Sequence, residues 1–209
     1  MFGRSVRARG DERLRALPGD ELIDDPVAVL THAVTVRKEP RHVWPWLVQM
    51  GAGTRAGWYS YDCLDNRGVP SAMHIIPALQ PVSEGMLMPA LPGATDGFTV
   101  MAHQMERFLV LGWTDTKGTI VTWAFVLEET PVGWTRLIVR VRGSRRYHFH
   151  GLPWWMAQRI VPAIHFMMQR KQLLGIAQRA ESLDTPEHAP PGQSAGARIF
   201  PLAGTSPRT

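Results

Sequence analysis

Apolar and polar positions alternate with a two-residue period between residues 29 and 38, where Leu30, His32, Val34 and Val36 interleave with Thr31, Ala33, Thr35 and Arg37. That period, in a run rich in β-branched side chains, predicts a strand, and Pro40 ends it. The period then changes. Val43, Trp46, Leu47 and Met50 fall at i, i+3, i+4 and i+7, which is one apolar face of a helix over residues 41–50. Gly51 suits its C′ position, and Pro45, close to the first turn, predicts a slight kink. A second short helix is predicted over residues 60–66, with Ser60 as its cap and Gly68 and Pro70 as its end.

Pro77, Pro81, Pro89 and Pro92 deny a long helix between residues 73 and 93. Ile75, Ile76, Leu79, Met86 and Met88 nevertheless keep this stretch apolar, so it reads either as an adaptable cavity wall or as ordinary core filling. Strand patterns follow at residues 97–103, 107–114, 119–128 and 134–142, separated by turn sequences at 115–118 and 129–133. Connections this short make an antiparallel meander. In its third strand Trp123, Phe125 and Leu127 share one face and Thr122, Ala124 and Val126 the other. In its fourth, Leu137, Val139 and Val141 oppose Arg136, Arg140 and Arg142. An apolar inner face and a wetter outer face are therefore expected.

The longest helical pattern runs from the Gly151-Leu152-Pro153 turn to about residue 182, with Ile160, Ala163, Met167, Leu174 and Ala177 on its predicted apolar face. Pro162 either kinks this helix or marks its beginning. Residues 1–27 are polar and charged and read as an arm, ordered at most in part, lying over a domain of residues 28–183. Residues 184–209 are rich in Pro, Gly, Ser and Ala and too poor in apolar side chains to pack, so a disordered tail is expected.

Composition narrows the class. A chain of 209 residues with 44% hydrophobic and 20% charged residues supports one domain with a full core. The net charge of +5 comes from arginines scattered through strands and tails, and no nucleic-acid recognition motif accompanies them, so a solvated basic surface is expected and no nucleic-acid partner. The first residues lack the apolar run of a secretory signal, and no stretch reaches the ~18–20 uncharged apolar residues of a spanning helix, which points to a cytoplasmic protein. Cys63 is alone, so it forms no intrachain disulfide, and it reads as a small buried hydrophobe.

Aromatic residues concentrate in the window 43–66, where Trp44, Trp46, Trp58, Tyr59 and Tyr61 sit close together, and this window reads as the lid and one wall of an apolar ligand pocket. The element order, strand, two short helices, antiparallel strands and a long last helix, resembles the α+β helix-grip fold of the START-like (SRPBCC) superfamily. Local residues are similar to one bacterial, polyketide-cyclase-like branch of it. They are Val43-Trp44-Pro45-Trp46-Leu47, Gln49-Met50-Gly51, Gly57-Trp58-Tyr59-Ser60-Tyr61-Asp62, Ile76-Pro77-Ala78-Leu79-Gln80, Thr122-Trp123-Ala124-Phe125-Val126-Leu127 and the run from Met168 to Ile176. The resemblance covers about residues 28–183 and departs around residues 147–161, where aromatics and histidines replace a plainer connector. It implies a curved sheet wrapped around the last helix, with an apolar cavity between them and the 43–66 helices near its mouth.

On that basis Trp46, Trp58, Tyr59, Trp123, Phe125 and Met167 are the candidate lining, with Tyr61 and Asp62 as polar anchors. Tyr59, Tyr61 and Asp62 could also serve as acid/base groups in a dry pocket; equally, the tyrosines could simply pack and Asp62 could cap or pair locally. His148 and His150 have a metal-chelating spacing but no third ligand, so no metal is expected, and His74 and His103 are isolated. The chain carries no nucleophile elbow, phosphate-cradling loop or dinucleotide fingerprint, and no cofactor is expected. Residues 145–156 combine arginines with interfacial aromatics, which reads either as peripheral membrane contact or as a buried helix start. The expected function is binding or transport of a small hydrophobic ligand. The alternatives are a cyclase- or dehydratase-type enzyme that positions a reactive chain in the same cavity, and a regulatory module that binds a partner.

Overall fold

In the computed structural model the alternating segments form β1 (Ala28–Val36), β2 (Leu87–Pro89), β3 (Gly97–Gln104), β4 (Phe108–Asp115), β5 (Gly118–Glu129) and β6 (Thr135–Gly143). The structure describes residues 4–146 and 154–182, without the side chains of 154–162. All strands join one six-stranded antiparallel sheet in the order β1-β6-β5-β4-β3-β2. The last four in sequence form the expected meander, and β1 returns beside β6 with Val34 opposite Leu137 and Leu30 opposite Val141. Because β1 and β2 occupy opposite edges, the chain between them must cross the full width of the sheet. It carries α2 (Pro40–Val48), α3 (Asp62–Asp65) and a 3-10 turn (Pro77–Leu79) with it.

The inner face of the sheet packs against these elements and against α4 (Trp154–Ser182) in one core. Val34, Leu109, Leu111, Phe125, Leu137 and Val139 meet Trp46, Leu47 and Met50 from α2 and its exit, and Leu173, Ile176, Ala177 and Ala180 from α4. A curved antiparallel sheet closed over a C-terminal helix is the helix-grip arrangement. The proline-rich stretch belongs mainly to this core: Met88 is buried, and Ile75, Ile76, Leu79 and Met86 pack around it.

Local details differ from the sequence pattern for identifiable reasons. Pro40 ends the strand and also begins α2 as its first residue, where its fixed φ is already helical. Gly51 is not the C′ residue of α2. At φ +126° it forms a two-way backbone bridge with Gly57 instead. Ser60 does not cap α3; Tyr61 precedes that helix, and the Ser60 hydroxyl donates to the carbonyl of Met168 at 3.2 Å. Cys63 is exposed, because the single turn of α3 directs Asp65 inward two residues later. In α4 the buried stripe is Gln169, Gln172, Leu173, Ile176, Ala177 and Ala180. Met167 lies about 200° of helical rotation from Gln169 and is 47% exposed, so it faces away from the sheet. Ala163 is exposed as well, and Leu174 is half-buried. The helix starts before Pro162 and passes through it.

The outer face is not wet. Residues 4–23, including α1 (Gly10–Leu14), lie across it, and Val6 accepts from Ala33 N–H at 3.2 Å along the edge of β1. Ala8 and Leu17 join Ala33, Val126 and Ile138 in a second apolar cluster. Arg136 makes a two-pronged pair with Glu12 at 2.7 and 2.9 Å. Arg140, 3% exposed, donates to Asp20 at 2.5 Å, to the Thr31 hydroxyl, and to the carbonyls of Glu12, Arg13 and Arg15. Arg136 and Arg140 of β6 thus lie beneath an arm whose carbonyls and carboxylates satisfy them, while Arg142 donates to Ile23 O and leaves its Nε without a partner among the described residues. Among the described residues no helix is long and apolar enough to cross a membrane. Arg140→Ala should cost about 3 kcal/mol, since it strands Asp20 and several carbonyls under the arm; urea unfolding followed by circular dichroism measures it.

Candidate ligand-binding cavity

The seat of α4 is set by one close approach. A Cβ on Gly175 would stand 2.5 Å from the backbone oxygen of Tyr59, so only glycine lets the helix come this near. Tyr59 itself holds a left-handed φ of +59°, a conformation a bulky residue keeps only when its surroundings impose it. Its hydroxyl accepts from Gln49 Nε2 at 2.9 Å, its ring lies under the Arg179 guanidinium at 4.7 Å, and its edge meets Trp46. Arg179 also donates to the carbonyl of Ala72 at 2.8 Å. The C-terminal half of α4 is therefore clamped.

Residues 164–172 of α4 stand over a cavity of about 350 Å³. Leu30, Val121, Trp123, Val141 and Phe98 form the sheet side, Ile164, His165, Met168, Gln169 and Gln172 the helix side, and Trp58, Ser60 and Asp65 the wall between them. Trp58 and Trp123 stack at 5.4 Å with 21° between their planes, and Phe98 meets Trp123 at 5.1 Å and Trp58 at 5.9 Å. Rings packed on one another have few alternative rotamers, so this wall is stiff as well as apolar. The indole of Trp58 donates to Ala90 O at 3.3 Å.

Most polar groups here are used internally. Trp123 Nε1 donates to Gln169 Oε1 at 3.0 Å, and Gln169 Nε2 donates to Gln172 Oε1 at 2.7 Å, a chain that fixes both amides and the ring. Two groups are not used. Both carboxylate oxygens of Asp65 are buried with no hydrogen-bond partner among the described residues, and the same holds for Nδ1 of His165. Burial, aided by the neighbouring Asp62 carboxylate, raises the Asp65 pKa to about 6. Burial, aided by His32, lowers that of His165 to about 4, so its ring is neutral at physiological pH. The two imidazoles stack at 5.8 Å.

The residues singled out from sequence have separate places. Trp58 and Trp123 line the cavity. Trp46, Tyr59 and Phe125 are fully buried in the core and do not reach its surface. Asp62 holds the next loop, accepting from Ser71 N–H at 3.0 Å and from its hydroxyl at 2.5 Å. Tyr61 is half-exposed at the start of α3, and Met167 faces outward while its neighbour Met168 lines the void. His148, His150 and residues 147–153 lie outside the described residues, as do the side chains of 154–156. Arg145 and Arg146 pair with Asp25 and Asp115. Sequence reasoning did not find Asp65, His165 or the Gln169–Gln172 pair. The glutamines carried a signal, polar residues three apart on a helix, whereas a carboxylate in a four-residue helix carried none.

The sequence matches no protein-family model and no curated protein sequence. Similar solved structures include the MLL2253 protein of Mesorhizobium loti, with 16% identity, 75% of this chain and 99% of that one covered, and a TM-score of 0.42. Another is the polyketide-cyclase-like protein Cgl2372 of Corynebacterium glutamicum, with 14% identity, 80% and 99% covered, and a TM-score of 0.37. The Aha1 dimer of Colwellia psychrerythraea shares 14% identity over 73% of this chain and 99% of its own, with a TM-score of 0.36.

Two measurements test this geometry. Gly175→Ala should cost about 1–3 kcal/mol, because the added methyl must push α4 off the Tyr59 main chain; thermal unfolding reports it. Asp65 binds its proton more tightly when folded, so its contribution to stability is present at low pH and is lost as pH rises from about 3.8 through about 6. Asp65→Asn should accordingly match the parent near pH 4 and exceed it by about 1–2 kcal/mol at pH 8, as read from urea midpoints at the two pH values.

Proposed function

We propose that this protein binds a small hydrophobic compound, aromatic or lipid-like, in the cavity between sheet and α4, and holds or carries it. The observation that supports the reading is the space of about 350 Å³ between the sheet and α4, walled by Trp58, Trp123 and Phe98 and lined mainly by apolar side chains. Its size falls within the range of small-molecule sites, ~300–1,000 Å³. The glutamine chain behind Trp123 holds the wall in place before any ligand arrives, so little ordering cost remains to be met on binding.

A second reading, a cyclase- or dehydratase-type enzyme, is supported by Asp65. A carboxyl with a pKa of about 6 in a mostly apolar cavity can take and return a proton near neutrality, as general acid/base catalysis requires. Tyr59 and Asp62 are less suited to that role. Burial pushes the Tyr59 hydroxyl well above its usual range, with Gln49 opposing, and Asp62 is occupied by Ser71. In both readings the cavity is the site.

N-phenyl-1-naphthylamine, an uncharged fluorophore, should bind with a Kd in the roughly micromolar range and brighten on entering the cavity. Val141→Trp, which fills the space from β6, should weaken it about tenfold or more while leaving the far-ultraviolet circular dichroism unchanged. Unaltered affinity in that variant would place the dye elsewhere. Native mass spectrometry of protein purified from its own host identifies any resident compound. Conversion of that compound by the wild type but not by Asp65→Asn would select the enzyme over the carrier.

A further inference from the structure

An aromatic cavity built for a purely apolar compound has no need of an acid in its wall. Asp65 is only 8% exposed and lines the cavity, and apart from its own backbone N–H no donor among the described residues acts on its carboxylate. The donors around it are committed elsewhere. Ser60 donates to Met168 O, and the Gln169 amide donates to Gln172. The half-buried arginines of this region serve carbonyls: Arg179 those of Ala72, Gly175 and Ser71, and Arg55 those of Met50 and Val48. The charge acting on Asp65 is that of Asp62, which has the same sign. A buried carboxylate without a counter-charge lowers stability, and its place in the lining assigns that cost to something the cavity receives.

We propose that the ligand is an organic cation, an arylalkylamine or an ammonium compound of similar shape, whose flat body lies against Trp58, Trp123 and Phe98 and whose protonated nitrogen pairs with Asp65. The assignment rests on the cavity being the binding site and adds the chemistry of its occupant. A primary ammonium brings three donors to a carboxylate that no other side chain among the described residues engages, and bonds between charged partners are among the strongest available in a protein interior. Tryptophan and phenylalanine rings add the attraction of a cation to an aromatic face. His165, neutral at physiological pH, does not oppose the incoming charge. A fatty acid or other anion would set its own charge against Asp65 and is selected against.

The test compares 2-(2-naphthyl)ethylamine with 2-ethylnaphthalene, which differ by the amino group, through quenching of the protein's tryptophan fluorescence at pH 7.5. In the wild type the amine should bind on the order of tenfold or more tightly than the hydrocarbon. In Asp65→Asn that preference should vanish while the hydrocarbon binds as before. Equal affinities in the wild type, or a preference that survives Asp65→Asn, would overturn the cation assignment and leave the apolar cavity standing. Failure of both probes to bind the wild type would remove the cavity reading and this assignment with it. A readout independent of the variant is proton release. At pH 5 Asp65 is mostly protonated, so amine binding to the wild type should expel up to one proton, measured by calorimetry in two buffers of different ionisation enthalpy. His32 on β1, Arg55 and Tyr59 in the loop after α2, Asp62 on α3, and His165 and Arg179 on α4 are the other charged or titratable groups of this region, and loss of the signal in Asp65→Asn attributes the proton. No proton released by the wild type at pH 5 would also overturn the pairing.

Discussion

The contact on which the architecture depends is the meeting of Gly175 with the main chain of Tyr59. It seats α4 against the loop between α2 and α3, and the left-handed Tyr59, the cation over its ring and the Gln49 amide at its hydroxyl hold that point. Leu173, Ile176, Ala177 and Ala180 close the core under the C-terminal half of α4, and the cavity lies further toward its start, between the sheet and Ile164, His165, Met168, Gln169 and Gln172.

The two faces of the sheet use polar residues in contrasting ways. On the outside, Arg136 and Arg140 of β6 find carboxylates and carbonyls supplied by the arm, and each of the two charges is answered by several hydrogen bonds. On the inside, the Trp123–Gln169–Gln172 chain is equally complete, yet Asp65 a short way along the same wall has no partner. Among the described residues a few other buried polar atoms also lack a partner, Trp46 Nε1 and Arg142 Nε included, but Asp65 is the carboxylate among them and it lines the cavity. The same reasoning separates structural from chemical residues in the 43–66 window. Trp46, Tyr59 and Asp62 are occupied in holding the fold, whereas Trp58 and Asp65 face the void.

The sequence determined the periods and therefore the elements. Alternation in residues 97–142 gave the meander to within a residue or two, and the inward set Trp123, Phe125 and Leu127 followed from the pleat alone. It also marked the 43–66 window as aromatic, and element order with local motifs was enough to suggest a helix-grip fold. What it could not give was rotation and depth. The face of α4 turned toward the sheet is chosen by where Gly175 meets Tyr59, a contact between residues more than a hundred positions apart, and that choice turns Met167 outward and Gln169 inward. Likewise a charged arm beside an arginine-striped strand reads as solvated until the two are folded together and each buries the other. Local spacing records which side chains share a face; whether that face meets water, core or cavity is decided only when the distant partner that covers it is in place.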